Sequence, residues 1–195
     1  MVLNPTWNVP RSITVKEYLP LMQEDPTAVG HLEMYDQSGE MVSRDNLDFN
    51  DYTEEDFPFD LKQPPSRGNA LGLVKFMLPN RFNIYLHDTP EKSLFGYEAR
   101  AFSHGCIRLS DPFEFAYALL RRQVSNPEEY FQTRLASGEE TVIPLKEHIP
   151  VHLVYRTALA TPKGKIEFRR DFYGRDAKIF AALQKAGVVL RAVRS

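Results

Sequence analysis

Cysteine is all but missing: Cys106 stands alone in 195 residues, so no internal disulfide can form and the thiol is either a buried small hydrophobe or a reactive group. An excess of one charge is missing too. The 24 Lys and Arg balance 26 Asp and Glu to a net of -2, and the basic residues are scattered, which excludes the positive patch that gathers nucleic-acid phosphates. Long apolar runs are absent. Phe115-Ala116-Tyr117-Ala118-Leu119-Leu120 is about the longest, far short of the roughly 20 residues a membrane-spanning helix needs, and the chain as it stands is expected to be soluble. Met1-Val2-Leu3-Asn4-Pro5 has neither the basic region nor the apolar region of a signal peptide, so these residues do not themselves report export. There is no repeat, no low-complexity segment, and no Ser-x-x-Lys or Lys-Thr-Gly pattern, which removes penicillin-type serine chemistry. What is present is 43% hydrophobic and 12% aromatic residues, enough for one well-packed core and one domain.

Patterning predicts an antiparallel β core with several peripheral helices. Val15, Tyr18, Leu19 and Met22 share a helical face over Thr14 to Glu24, which Pro20 is expected to interrupt. Most of the stretch from Arg11 to about Pro65 reads as irregular and acidic, and as a lid or insertion rather than a linker. After Gly68, Leu71 to Leu78 and Phe82 to Leu86 read as two antiparallel strands around Pro79-Asn80-Arg81. Asp111, Pro112 and Glu114 predict an N-cap, N1 and N3 for a helix to about Arg122. A second helix is expected over Pro127 to Ala136, ending near Gly138, and a last one over Asp176 to Lys185 with Gly187 beyond it. Val142-Ile143 and Val151 to Thr157 are strand-like, and Lys165 to Phe168 is expected to pair with the latter through Pro162-Lys163-Gly164.

Chemistry concentrates at two element ends. Tyr85-Leu86-His87-Asp88-Thr89 closes a predicted strand, and Ser103-His104-Gly105-Cys106-Ile107-Arg108 precedes the capped helix. A cysteine attacks as its thiolate and needs an imidazole within reach to take its proton. His104 is two positions from Cys106, but a Gly turn disturbs its geometry. His87, from a separate element, is the better-placed base. Gly105 allows a backbone shape in which its own N–H and that of Cys106 converge on a developing oxyanion. Two other readings stand beside this one: a cysteine buried for structural reasons, and a zinc site built from His87, His104 and Cys106, which lacks a Cys-x-x-Cys spacing. Trp7 reads as an anchor for the N-terminal segment. His31, His148 and His152 have no partner pattern.

The same residues closely resemble the L,D-transpeptidases of bacterial cell walls, the YkuD-like family. His87 and Ser103-His104-Gly105-Cys106-Ile107-Arg108 match its signature, with Arg rather than Asn at the last place. Asn4-Pro5-Thr6-Trp7-Asn8-Val9-Pro10, Asn69-Ala70-Leu71-Gly72, Ile84-Tyr85-Leu86-His87-Asp88-Thr89-Pro90 and Asp171-Phe172-Tyr173-Gly174-Arg175-Asp176 are similar to its large, periplasmic, membrane-anchored branch. The resemblance implies an α+β fold, mainly an antiparallel β sandwich with peripheral helices, in one catalytic domain over residues 1–195 with a capping insertion at about 11–65. It implies a domain taken from a longer protein, with membrane contact only through an N-terminal anchor outside it.

Carried over by resemblance, Cys106 is the nucleophile and His87 the general base and acid, oriented through a backbone carbonyl for which Asp88 is the nearest candidate. Ser103, His104 and Gly105 form the oxyanion and support loop. Arg108 is a candidate for a stem carboxylate and Tyr85 for the oxyanion or the acceptor; each has a structural alternative, as a partner of a backbone carbonyl or Asp111 and as a packed strand residue. The implied reaction takes peptidoglycan tetrapeptide stems as donor and acceptor and makes a 3-3 cross-link in cell-wall biogenesis and cell shape. Water as acceptor would make an L,D-carboxypeptidase, a lipoprotein lysine an anchoring enzyme, and an inert Cys106 a peptidoglycan-binding domain. No cofactor and no metal is expected; β-lactams of the carbapenem type are expected covalent inhibitors, and the periplasm or cell envelope is the expected location.

Overall fold

The computed structural model describes residues 1–188, so residues 189–195 of the expected domain lie outside the described residues. The described residues form two compact units, one over Met1–Ile149 and one beginning at Pro150. Along the first unit come β1 (Val2–Leu3), β2 (Trp7–Asn8), α1 (Arg11–Ile13), a π-helical stretch (Thr14–Tyr18), α2 (Leu19–Glu24), β3 (Glu33–Tyr35), a 3-10 turn (Phe49–Asp51) and β4 (Asp60–Gln63). They are followed by β5 (Val74–Met77), β6 (Tyr85–His87), a 3-10 segment (Lys92–Gly96), β7 (Ile107–Arg108), α3 (Pro112–Leu120), α4 (Pro127–Leu135) and β8 (Thr141–Val142). The second unit holds β9 (Ala158–Ala160), β10 (Ile166–Phe168) and α5 (Arg175–Lys185). The fold is α+β, with its pairings antiparallel except that β6 and β7 run parallel.

The five-stranded sheet has the order β7-β6-β5-β1-β8. Side chains alternate across a sheet, so Phe76 and Leu86 turn to one face and join Leu3, Val74, Ala116, Tyr117, Leu120 and Phe131 in a core under α3 and α4. Fully buried Leu3, Val74, Leu120 and Phe131 each stabilise the fold by roughly 1.5–3 kcal/mol before entropy is counted. Asn69 ties this core to the chain entering it. Its fully buried amide donates to the carbonyls of Pro5, Gln63 and Pro64 at 3.0 Å each, while its oxygen accepts from the Leu71 N–H at 2.8 Å.

The Arg11–Pro65 stretch, expected to be irregular, is folded. A three-stranded sheet of order β2-β4-β3 packs Leu61 and Met34 against Ile13, Val15, Leu19, Met22, Phe49, Phe57 and Phe59. The Arg44 guanidinium donates to the carbonyls of Ala28, Val29 and Leu32. Its acidic residues make turns: Asp36 accepts from the N–H groups of Ser38 and Glu40, and Asp48 from that of Asn50. Pro20 does not break the helix, because it sits in the first turn of α2 and the wider π-helical stretch before it absorbs its missing donor.

Three local expectations are corrected. Asp111 precedes α3 but makes no side-chain cap; its carboxylate accepts from Ser110 Oγ at 2.8 Å instead. Val151 to Thr157 is not a strand, and β10 pairs with Ala158–Ala160, because the turn at Pro162-Lys163-Gly164, closed by Gly164 N–H to the Thr161 carbonyl at 2.9 Å, sets the register immediately beside it. Leu71 and Gly72 belong to a turn before β5, with Gly72 at φ +60° donating to the Asn69 carbonyl. Trp7 meets Tyr18 edge to face at 6.4 Å between ring centroids and packs on the insertion core, as an anchor does.

Candidate active site

Register places the chemistry. Leu86 pairs with Ile107 and His87 with Arg108 across the parallel β6–β7 ladder, while Lys75 of β5 lies opposite His87 on the other side. Since Leu86 and Ile107 face the core, Tyr85, His87 and Arg108 face away from it, and Cys106, two residues before Arg108, takes the same side. Strand spacing of about 4.8 Å and a two-residue offset of about 6.6 Å separate the Cα atoms of His87 and Cys106 by roughly 8 Å, a diagonal that side chains can bridge.

His87 is 5% exposed. Its Nδ1 bonds to the Asp88 carbonyl; a carbonyl only accepts, so Nδ1 carries the proton and Nε2 is left as the free base. Burial pulls the imidazole below its ordinary pKa, the Asp88 carbonyl opposes this, and the nearby Arg108 charge adds to the lowering. The ring is therefore neutral at neutral pH. Tyr85, also buried, meets His87 edge to face at 5.9 Å. Burial, then the adjacent Cys106 sulfur, pushes its phenol above the ordinary value, so its hydroxyl keeps its proton.

Cys106 is half-buried, and its Sγ donates to the Asn83 carbonyl at 3.9 Å. Among the described residues no hydrogen bond joins the thiol to His87 directly. Ser103 Oγ donates to the Cys106 carbonyl at 2.6 Å and accepts from the Gly105 N–H at 3.1 Å. That bond corrects the expectation that the Gly105 N–H points at an oxyanion. Gly105 has φ +146°, a region L side chains avoid. His104 donates from Nε2 to Glu17 Oε1 of the π-helical stretch at 2.8 Å. Among the described residues no three His, Cys, Asp or Glu side chains converge as metal ligands.

Arg108 Nη1 donates to the Phe102 carbonyl at 3.0 Å, and its Nε is buried without a partner among the described residues. Asp88 is 7% exposed, and its carboxylate accepts from the Leu73 N–H at 2.9 Å and from Lys92 Nζ at 2.7 Å. Asn83, Lys92 and Glu17 were not singled out by sequence. Asp88 and Lys92 carry opposite charges four residues apart, a spacing that could have pointed to the pair, whereas nothing local marks the Asn83 carbonyl. His31, His148 and His152 are exposed.

The profile of the YkuD L,D-transpeptidase catalytic domain matches residues 1–143, the span that carries the thiol, the imidazole and the sheet joining them. The chain belongs to this family. A Haemophilus influenzae protein named "Putative L,D-transpeptidase" is 34% identical over 181 residues, covering 92% of this chain and 36% of that protein. The chain thus spans about a third of the length of that relative. Of the residues singled out by sequence, Tyr85, His87 and Arg108 lie on the paired strands β6 and β7 and Cys106 immediately before β7, whereas His104 contacts Glu17 of the π-helical stretch.

Proposed function

We propose that the domain is a peptidoglycan L,D-transpeptidase in which Cys106 is the nucleophile and His87 the general base and acid. The observation that carries this reading is the parallel β6–β7 pairing, which sets a buried imidazole with a free Nε2 on the same face as the thiol. Rotation of Cys106 about χ1 takes Sγ from the Asn83 carbonyl toward Nε2, which accepts the thiol proton. Sγ then attacks the amide carbonyl between the L-centre of the third-position diamino acid and the fourth-position D-alanine of a tetrapeptide stem. The Cys106 N–H and the protonated Tyr85 hydroxyl stabilise the oxyanion. His87 returns the proton to the alanine nitrogen, the C–N bond breaks, and a thioester remains. The side-chain amine of a diamino acid on a second stem attacks the thioester, His87 takes its proton, and the C–S bond breaks to leave a 3-3 cross-link.

Ser103 holds the loop turn that presents Cys106, and Gly105 permits it. Arg108 is assigned to a stem carboxylate through guanidinium N–H groups other than the buried Nε. The His104–Glu17 contact supports the insertion as a lid that keeps water from the thioester, favouring the amine. Such a substrate would be met in the periplasm or cell envelope, and a carbapenem would acylate the same thiolate.

Incubation with purified tetrapeptide muropeptides, read by mass spectrometry, tests the reading. A 3-3 cross-linked dimer that disappears in Cys106→Ala is expected. Tripeptide alone would make the domain a carboxypeptidase, a product only with a lipoprotein acceptor would make it an anchoring enzyme, and no product with an unreactive Cys106 would leave a binding domain.

A further inference from the structure

One ammonium group spans the ends of both site-bearing strands. Lys92 Nζ donates to Asp88 Oδ1 at 2.7 Å, to the Ser110 carbonyl at 3.0 Å and to the Leu109 carbonyl at 3.2 Å, which matches its three hydrogens. Asp88 follows β6, and its own carbonyl receives His87 Nδ1. Leu109 and Ser110 follow β7, three and four residues after Cys106, and the Leu109 N–H donates to the His87 carbonyl at 2.8 Å. The other carboxylate oxygen of Asp88 takes the Leu73 N–H at 2.9 Å, and the Asp88 N–H reaches the Val74 carbonyl at 2.9 Å. A Cβ at Gly72 would lie 2.3 Å from Asp88 Oδ2, so only glycine leaves room for the carboxylate there.

We infer that Lys92 is a positioning residue that fixes the spacing of the His87 imidazole and the Cys106 sulfur by tying the β6 exit to the β7 exit through Asp88. This deepens the reading of His87 as base and Cys106 as nucleophile, and rests on it. The geometry gives Lys92 no surplus hydrogen for a ligand. Its side chain is 47% exposed and that of Asp88 10%, so the ion pair by itself is a weak source of stability, and the consequence of losing it is misplacement. A shift of about 1 Å between base and nucleophile costs on the order of 100-fold in rate.

The test measures alkylation of Cys106 by iodoacetamide at neutral pH, and acylation by a carbapenem resolved into a maximal rate and a half-saturating concentration. Wild type, Lys92→Met, Lys92→Arg and the core variant Phe131→Leu are compared, with melting temperatures for all four. Lys92→Met is expected to alkylate and acylate about 10- to 100-fold more slowly at an unchanged half-saturating concentration. Lys92→Arg, which keeps the charge and the donors, is expected to recover most of the rate. Phe131→Leu is expected to lower the melting temperature without slowing the thiol. A Lys92→Met protein that reacts within twofold of wild type, whatever its melting temperature, overturns the proposal, as does a change confined to the half-saturating concentration. If the carbapenem leaves wild type unmodified, the transpeptidase reading suffers, while the iodoacetamide comparison still decides the role of Lys92.

Discussion

Burial and the Asp88 carbonyl pull the pKa of His87 in opposite directions, and burial is the larger influence. The folded value therefore lies below the ordinary value near 6.5. As pH falls through about 6.5 the unfolded chain binds the proton first, so stability declines from there until the folded value is reached and is unaffected above it. His87→Gln is expected to lose less stability than wild type between pH 7.5 and 5.5, as urea unfolding at both values will read. The same lowering places the acid limb of kcat/KM below pH 6.5, and a limb above 7 would contradict it. Tyr85→Phe is expected to reduce the maximal acylation rate by about 100- to 1,000-fold through loss of one oxyanion donor, measured by stopped-flow fluorescence or mass spectrometry. At this scale the sequence was readable where a residue's neighbours are sequence-local: Asp88 follows His87 and supplies the carbonyl. The Asn83 carbonyl beside the thiol and Glu17 beside His104 come from other parts of the chain, and no spacing announces them.

Elements were legible in proportion to their length and punctuation. The helices α3 and α4 begin at Pro112 and Pro127, and Asn126 caps the second by accepting from the Glu129 N–H. The Arg11–Pro65 stretch was not legible as a folded body because its strands run three to four residues, too short for alternation to stand out, and because its carboxylates turn the chain locally. The hairpin of the second unit was legible in its turn and misjudged in its partner strand, since Val151 to Thr157 has the composition of a strand while the turn alone decides the register. Asn69 joins these elements through side-chain bonds to backbone. Asn69→Leu leaves the Pro5, Gln63 and Pro64 carbonyls without their donor and is expected to cost about 1–3 kcal/mol by denaturant unfolding; a change under about 0.5 kcal/mol would show that water replaces the amide.

For the whole molecule, the first unit holds two apolar cores, one under the five-stranded sheet and one beside the three-stranded sheet. The His104–Glu17 contact is a place where the insertion meets the loop that presents Cys106. Glu17→Gln is expected to raise the ratio of tripeptide to cross-linked dimer severalfold while leaving thiol alkylation within twofold, which product analysis by mass spectrometry reads directly. An unchanged ratio would remove the lid role from the insertion. The proposed chemistry itself rests on two side chains, His87 and Cys106. Its most direct measurement is the rate of a carbapenem adduct, followed by intact mass and localised by peptide mapping in wild type, Cys106→Ala and His87→Gln. A single adduct on Cys106 is expected, with none in Cys106→Ala and formation at least about 100-fold slower in His87→Gln. Acylation of Cys106 at the wild-type rate without the imidazole would contradict it.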